Sequence, residues 1–245
     1  MKDGKASIHR SNRLLAALEP EDFLWLEPHL EIVELPRGRI IYHAGETIRH
    51  TYFLHDAIVS LVTDLQHGGS VEMAVFGRES ALGFVSALVT RQSYGRYVTQ
   101  IAGSASRAPL DRLTAAIGER PRMRQVLFRY MEALLAQTLQ GVACNAVHSV
   151  EARCCRAILS TRDRTDSDDI PLTHETLAEM LGVQRSTVSS VASTLQRADL
   201  IVQGRGTIRI TDRDGLEATA CECYRTIRES FERLLPGAFR SDAGR

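Results

Sequence analysis

The chain has 245 residues, with 30 Lys and Arg against 30 Asp and Glu, so its formal net charge is zero. At 44% hydrophobic and 24% charged residues it has the composition of an ordinary folded protein of one large or two small domains, which excludes wholesale disorder, collagen-like repeats and charged tails. No apolar run approaches the ~20 residues of a membrane-spanning helix, and the amino-terminal MKDGKASIHRSNR lacks a signal-peptide core, so a cytoplasmic protein with no membrane partner is expected. In chain order, a capped apolar segment at Ser11–Leu18 and a restart at Pro20 and Asp22 predict two short helices. Short β-type runs follow at 31–35, 39–43, 51–54, 58–62, 71–76 and 97–101. Turn residues separate them at Pro36/Gly38, Gly45, Gly68-Gly69, Gly77 and Gly103, a pattern that predicts a small antiparallel barrel or sandwich.

After Asp111 the strand signal stops. Residues 122–147 contain no proline and place Leu127, Met131, Leu134, Thr138 and Val142 at steps of three or four, predicting a long amphipathic helix. Its narrow stripe suits pairing with a second copy; packing within its own chain is the alternative. A helix over 150–161, an acidic turn at Asp166–Asp169, two helices split by a glycine and a β-hairpin complete the order, and residues 214–235 read as one further helix. That last helix would pack back on the domain before it or add a dimer contact.

The most informative stretch is 172–200. Thr173 can cap a helix whose inner face is Leu177, Ala178 and Leu181. Gly182 supplies a tight turn with Val183 as its plug. A second helix then buries Val188, Val191 and Leu195, leaving Gln184, Arg185, Ser186, Ser189 and Ser190 facing outward. A slim, hydrogen-bonding leading face is what entry into the major groove of double-stranded DNA requires. The hairpin 200–210 carries Arg205 at a glycine-flanked tip, within reach of a phosphate. Across 183–209 four arginines face one acid, Asp199, so a neutral chain has a locally basic segment. Lys2 and Lys5 are the only lysines among the 30 basic residues, which leaves 28 arginines; codon bias is the plain reason, although the guanidinium fork also suits phosphate and guanine.

At these residues the chain resembles the Crp/Fnr family of bacterial transcription regulators. The resemblance implies an α+β fold: an amino-terminal antiparallel β-roll related to cyclic-nucleotide-binding domains (1–119), a long dimerisation helix (120–147), and a carboxy-terminal winged helix-turn-helix with an extra helix (148–235), then a tail (236–245). It further implies a homodimer on a palindromic operator that recruits or blocks RNA polymerase. Base-reading positions of the family fall on Gln184, Arg185, Ser186 and Ser190, and Thr187 matches a phosphate-contacting threonine. Where cAMP-responsive members carry glutamate and arginine, this chain has Ser186 and Ser190, so Arg185 becomes the strong guanine reader. The family's phosphate cassette, aligned on Gly83, places Phe84 where glutamate holds the ribose and Tyr94 where arginine meets the cyclic phosphate, with Arg96 two places on. A desolvated phosphate needs a paired cation, which argues against cAMP and leaves no cofactor assigned.

Five cysteines, unevenly placed, suit a reducing compartment rather than a disulfide framework. None precedes Cys144, unlike the amino-terminal cluster of the family's iron–sulfur members. Cys154-Cys155 and Cys221-Glu-Cys223 fall on predicted helices, where adjacent side chains diverge by about 100° and a Cys-x-Cys pair is little better placed to chelate, so buried small hydrophobes are expected and no metal site. His43, His50, His55 and His67 lie in the barrel region without ligand spacing, although a single haem ligand would leave no motif. No nucleophile elbow, phosphate loop or dinucleotide fingerprint is present, and no catalytic residue is assigned. The reading from another class is a redox, haem or small-ligand sensing module acting through a protein partner.

Overall fold

Short alternating strands cannot bury their apolar faces singly, and in the computed structural model, which describes residues 2–66 and 69–239, they close into a roll. The strands are β1 (Glu31–Leu35), β2 (Ile40–Tyr42), β3 (His50–Leu54), β4 (Ile58–Asp64), β5 (Ser70–Phe76), β6 (Ala81–Leu82), β7 (Arg96–Ile101) and β8 (Gly103–Pro109). They form two four-stranded antiparallel sheets, ordered β1-β8-β3-β6 and β2-β7-β4-β5. Their inner faces pack Leu35, Tyr52, Phe53, Leu54, Phe76 and Tyr97 into one core. The expected position His67, the turn residue Gly68 and the tail from 240 lie outside the described residues.

Ahead of the roll come α1 (Lys2–His9), α2 (Arg13–Ala16) and α3 (Pro20–Leu26). The expected Ser11–Leu18 helix is shorter than its apolar pattern: Asn12, not Ser11, caps it, with Oδ1 accepting from the Leu15 amide at 3.0 Å. The Asn12 amide donates to Leu54 and Ser80 carbonyls, both at 2.9 Å, so the cap also pins the helix to the roll.

The roll hands over to α4 (Leu110–Glu119), which breaks at Arg120 before Pro121 starts α5 (Pro121–Val147). Leu127 and Leu134 of the expected dimer stripe face their own core, as do Met123 and Tyr130. Val142 of that stripe is exposed, and it is Phe128, Leu135 and Leu139 that join it in the exposed apolar row. The stripe is rotated because the roll takes the Leu127/Leu134 face: Tyr130 Oη donates to Ala81 O at 3.0 Å and Gln137 Nε2 to Val75 O at 3.2 Å.

The last third comprises α6 (Val150–Thr165), β9 (Asp169–Ile170), α7 (His174–Leu181), α8 (Arg185–Arg197), β10 (Ile201–Gln203), β11 (Ile208–Ile210), α9 (Arg213–Thr219) and α10 (Cys223–Leu234). β9 joins the hairpin to give a three-stranded sheet ordered β10-β11-β9. The single helix expected over 214–235 is broken between Thr219 and Cys223, because its apolar residues serve two cores. Leu216 belongs with α6–α8, whereas Ile227 and Phe231 join the core of the roll and α5. α10 therefore lies along α5 of its own chain.

Candidate nucleic-acid interface

Thr173 starts α7: its backbone is extended and its Oγ1 accepts from the Thr176 amide at 3.1 Å, satisfying one orphan donor of the first turn. The helix stops at Gly182, whose φ of 64° is left-handed and cheap only for glycine. Val183 packs on the domain core as the plug. Gln184 then precedes α8, which buries Val188, Ala192 and Leu195. That registration leaves Gln184, Arg185, Ser186, Thr187 and Ser190 exposed on one leading face.

The Arg185 side chain is 68% exposed, with Nε 3.4 Å from Glu175 Oε2, a loose surface pair that a better anion can displace. Ser189, expected to face outward, is half-buried: its Oγ donates to Arg185 O at 3.1 Å and lies 3.0 Å from His174 Nδ1. The neighbouring helix covers it, a contact the periodicity of α8 alone does not contain.

The wing tip is held by the Gly204 amide donating to Thr207 O at 2.9 Å, and Arg205 stands exposed upon it. A Cβ on Gly206 would lie 3.9 Å from Thr173 Cγ2, so the tip runs beside the start of α7. Arg209, part of the basic surplus, is instead engaged by both oxygens of Asp169 at 2.6 and 3.0 Å.

The roll touches this domain at the same helix start. Arg37 Nη2 donates to Thr176 Oγ1 at 3.1 Å and to Thr173 Oγ1 at 3.4 Å. Further along α7, Glu179 accepts from Ser70 at 3.2 Å and from Gln100 at 3.3 Å. Neither Arg37 nor His174 was marked by a motif; only the folded contact brings them in.

On the roll Gly83 has a φ of 85°, and a Cβ there would lie 3.2 Å from His50 O, so the turn requires glycine. Phe84 is buried in the core, Tyr94 is 65% exposed, and Arg96 is paired with Asp64 at 3.0 Å. Beside them the roll and α5 enclose a cavity of about 360 Å³ lined by Leu61, Met73, Phe76, Tyr97, Met131 and Leu134, with no basic side chain among its described lining residues. Of the four expected ligand residues, Gly83 and Tyr94 line this cavity, while Phe84 lies in the core and Arg96 is engaged by Asp64.

The cysteines divide. Cys154 and Cys155 are core residues whose thiols burial pushes up to about 12. Cys221 and Cys223, expected on one helix, occupy the break before α10 and its first residue, where they meet Cys144 and His148. His43, His50 and His55 do not assemble a ligand set among the described residues.

Residues 152–219 match the family described as a Crp-like helix-turn-helix domain. The chain is 24% identical over 182 residues to the global nitrogen regulator of Synechococcus elongatus, covering 70% of this chain and 82% of that protein. It is 26% identical over 240 residues to the HTH-type transcriptional regulator Cmr of Mycobacterium tuberculosis, covering 89% of this chain and 84% of that one. The structure of FixK2 from Bradyrhizobium japonicum shares the fold with a TM-score of 0.68 at 16% identity, over 78% of this chain and 98% of FixK2.

Proposed function

We propose that this chain, a transcription regulator of the Crp/Fnr family, reads a palindromic operator as a homodimer through the leading face of α8. The observation that carries this reading is the slim exposed row Gln184, Arg185, Ser186, Thr187 and Ser190, on a helix held by a capped, glycine-turned partner. Arg185 is assigned the base-edge contact, as a guanidinium can bond guanine O6 and N7 together. Thr173, Thr187 and Arg205 are assigned phosphates at the groove walls, and Ser189 a supporting place behind them.

The exposed row Phe128, Leu135, Leu139 and Val142 on α5 supports dimerisation. Two α8 helices would then meet half-sites about 34 Å apart, one helical turn of DNA. RNA polymerase would be the further partner and the cytoplasm the compartment; no helix among the described residues is long and apolar enough to cross a membrane. The domain bounds 1–119, 120–147 and 148–235 are taken as sensor, connecting helix and DNA-binding unit. The apolar cavity beside Gly83, with Arg96 committed to Asp64, supports a sensor for something other than cAMP.

Selection of bound duplexes from random DNA, followed by affinity measurement on variants, tests the assignment. A two-fold-symmetric sequence is expected. Arg185→Ala should cost about 1–3 kcal/mol at its cognate pair and relax preference there, whereas Arg205→Ala should weaken all sequences alike. Equal losses on selected and random DNA for both variants, or no selected symmetric sequence, would overturn it.

A further inference from the structure

The break between α9 and α10 has a chemical consequence. It turns Cys221 and Cys223 back toward the last turns of α5, where Cys144 and the C-capping His148 lie. The ligand atoms of these four residues all lie within 4.8 Å of one another. Cys144 Sγ is 3.5 Å from Cys221 Sγ, and Cys223 Sγ is 3.5 Å from His148 Nδ1. Around a tetrahedral zinc with Zn–S bonds of ~2.3 Å, neighbouring sulfurs stand about 3.8 Å apart, so small shifts would close the shell.

Packing does not explain this gathering. Cys154 and Cys155 act as small hydrophobes in a large core. The other three cysteines form a separate small buried cluster, against which, among the described residues, the partly buried hydrophobic Ala152 packs. Their surroundings are polar and directed. Gln140 Nε2 donates to Cys223 Sγ at 3.0 Å. Glu222 Oε1 lies 3.1 Å from His148 Nε2, so a proton on Nε2 leaves the Nδ1 lone pair facing the sulfurs, the carboxylate–histidine support common behind metal ligands. The positive charge of Arg156 favours the thiolate form at Cys144 and Cys221 alike. Three thiolates around a divalent ion leave one excess negative charge, which Arg156 offsets.

We propose that Cys144, His148, Cys221 and Cys223 form a closed Cys3His site for a zinc ion. Three soft thiolates and an imidazole in a tetrahedral arrangement favour zinc over oxygen-seeking ions such as magnesium or calcium. On binding, protons still on the thiols pass to solvent as the metal–sulfur bonds form, and no electron is transferred. Since His148 directly precedes Ser149, the cap of α6, the ion would tie the end of α5 and the start of α10 together at the hinge into the DNA-binding unit. The proposal stands apart from the operator-binding reading, because no residue of the α8 face belongs to the site.

The test uses the full chain, purified under reductant without chelator and assayed for zinc, then stripped and titrated with cobalt(II). Expected are one zinc per chain and, with cobalt, tetrahedral d–d absorption and a sulfur-to-cobalt charge-transfer band that added zinc abolishes. Cys223→Ser should lose the charge-transfer intensity of one sulfur. The surface variant Glu222→Gln, which leaves every ligand and the core in place, should bind cobalt about 10-fold or more weakly. Reduced protein that retains no zinc and gives only an octahedral cobalt spectrum would overturn the site. So would unchanged affinity in Glu222→Gln, or a Cys144–Cys221 disulfide persisting in freshly prepared reduced protein, which would make the cluster a redox pair.

Discussion

Replacing Glu79 by glutamine should separate the roll from the DNA-binding unit energetically. The Glu79 side chain is fully buried and Arg164 is 3% exposed, with Oε1 2.9 Å from Nε. Arg164 also donates to Ser160 O at 2.9 Å and to Gln137 Oε1 at 3.1 Å, while Glu79 Oε2 has no hydrogen-bond partner. The guanidinium is the ion-pair partner of the carboxylate, to which Ser80 Oγ also donates at 3.1 Å, and the carboxylate is the acid in direct contact with the guanidinium. Glutamine keeps the volume and strands a buried cation, which costs about 3–5 kcal/mol when one partner of such a pair is removed. Urea unfolding of the two proteins should show that loss. The double variant Glu79→Leu with Arg164→Met removes both charges and should recover most of it, since buried pairs are commonly replaceable by apolar residues of similar size. A loss below about 1 kcal/mol for Glu79→Gln, or a double variant as unstable as the two singles added together, would refute the reasoning.

Arg37 occupies the Thr173 hydroxyl assigned to a phosphate, so Arg37→Ala, at about 1 kcal/mol net, should tighten operator binding about fivefold in fluorescence anisotropy, and weaker binding would show that Arg37 helps hold DNA instead. Leu139→Glu puts a charge in the exposed row of α5 and should raise the monomer fraction in sedimentation, an unchanged association state placing the dimer contact elsewhere. His55, between Ser104 at 3.1 Å and Ser106 at 2.7 Å, has its pKa lowered to about 4 by burial first and by His9 second. The unfolded chain binds that proton more readily, so stability is complete above about pH 6.5 and lost as pH falls toward 4, by at most ~3 kcal/mol. His55→Gln should flatten this dependence in thermal unfolding, and an identical pH profile would exclude His55 as its source.

The helix-turn-helix was legible because its determinants are local. A capping Thr173, a left-handed Gly182 and an apolar spacing of three and four specify both helices before any distant contact forms. The strands 31–35, 58–62 and 71–76 were legible for the same reason, each β-rich and bounded by turn residues. β8 was missed because Gly103–Pro109 carries glycine, serine and alanine; it is a strand through pairing with β1 and β3, and its serines matter as partners of His9 and His55. Helical periodicity over 214–235 was real, yet it hid a break that only the two separate cores impose. With that break hidden, the cysteine pair was assigned to one helix and its meeting with Cys144, 77 residues earlier, could not be seen. The cavity beside Gly83 was legible only through the missing cassette arginine, since Tyr94 stands at that position.

The zero charge balance takes on a different meaning once the arginines are located. Arg78 pairs with Asp166 at 2.5 Å and Arg164 with Glu79, both between the roll and the third that follows α5. Arg162 pairs with Asp168, Arg209 with Asp169, and Arg213 and Arg228 both with Asp163, inside that last third. Each acid in these pairs cancels an arginine for internal reasons, so the neutral total reports how the units are joined rather than how the surface meets a polyanion. The guanidiniums left presented by α8 and the wing tip are Arg185, Arg197 and Arg205. Three such cations would release few counterions per chain, so the proposed mode of binding predicts a shallow salt dependence on random DNA. In the proposed mode of binding, affinity would come mainly from base contacts and from two matched half-sites, which would make discrimination between operator and bulk DNA a consequence of where the charge was placed.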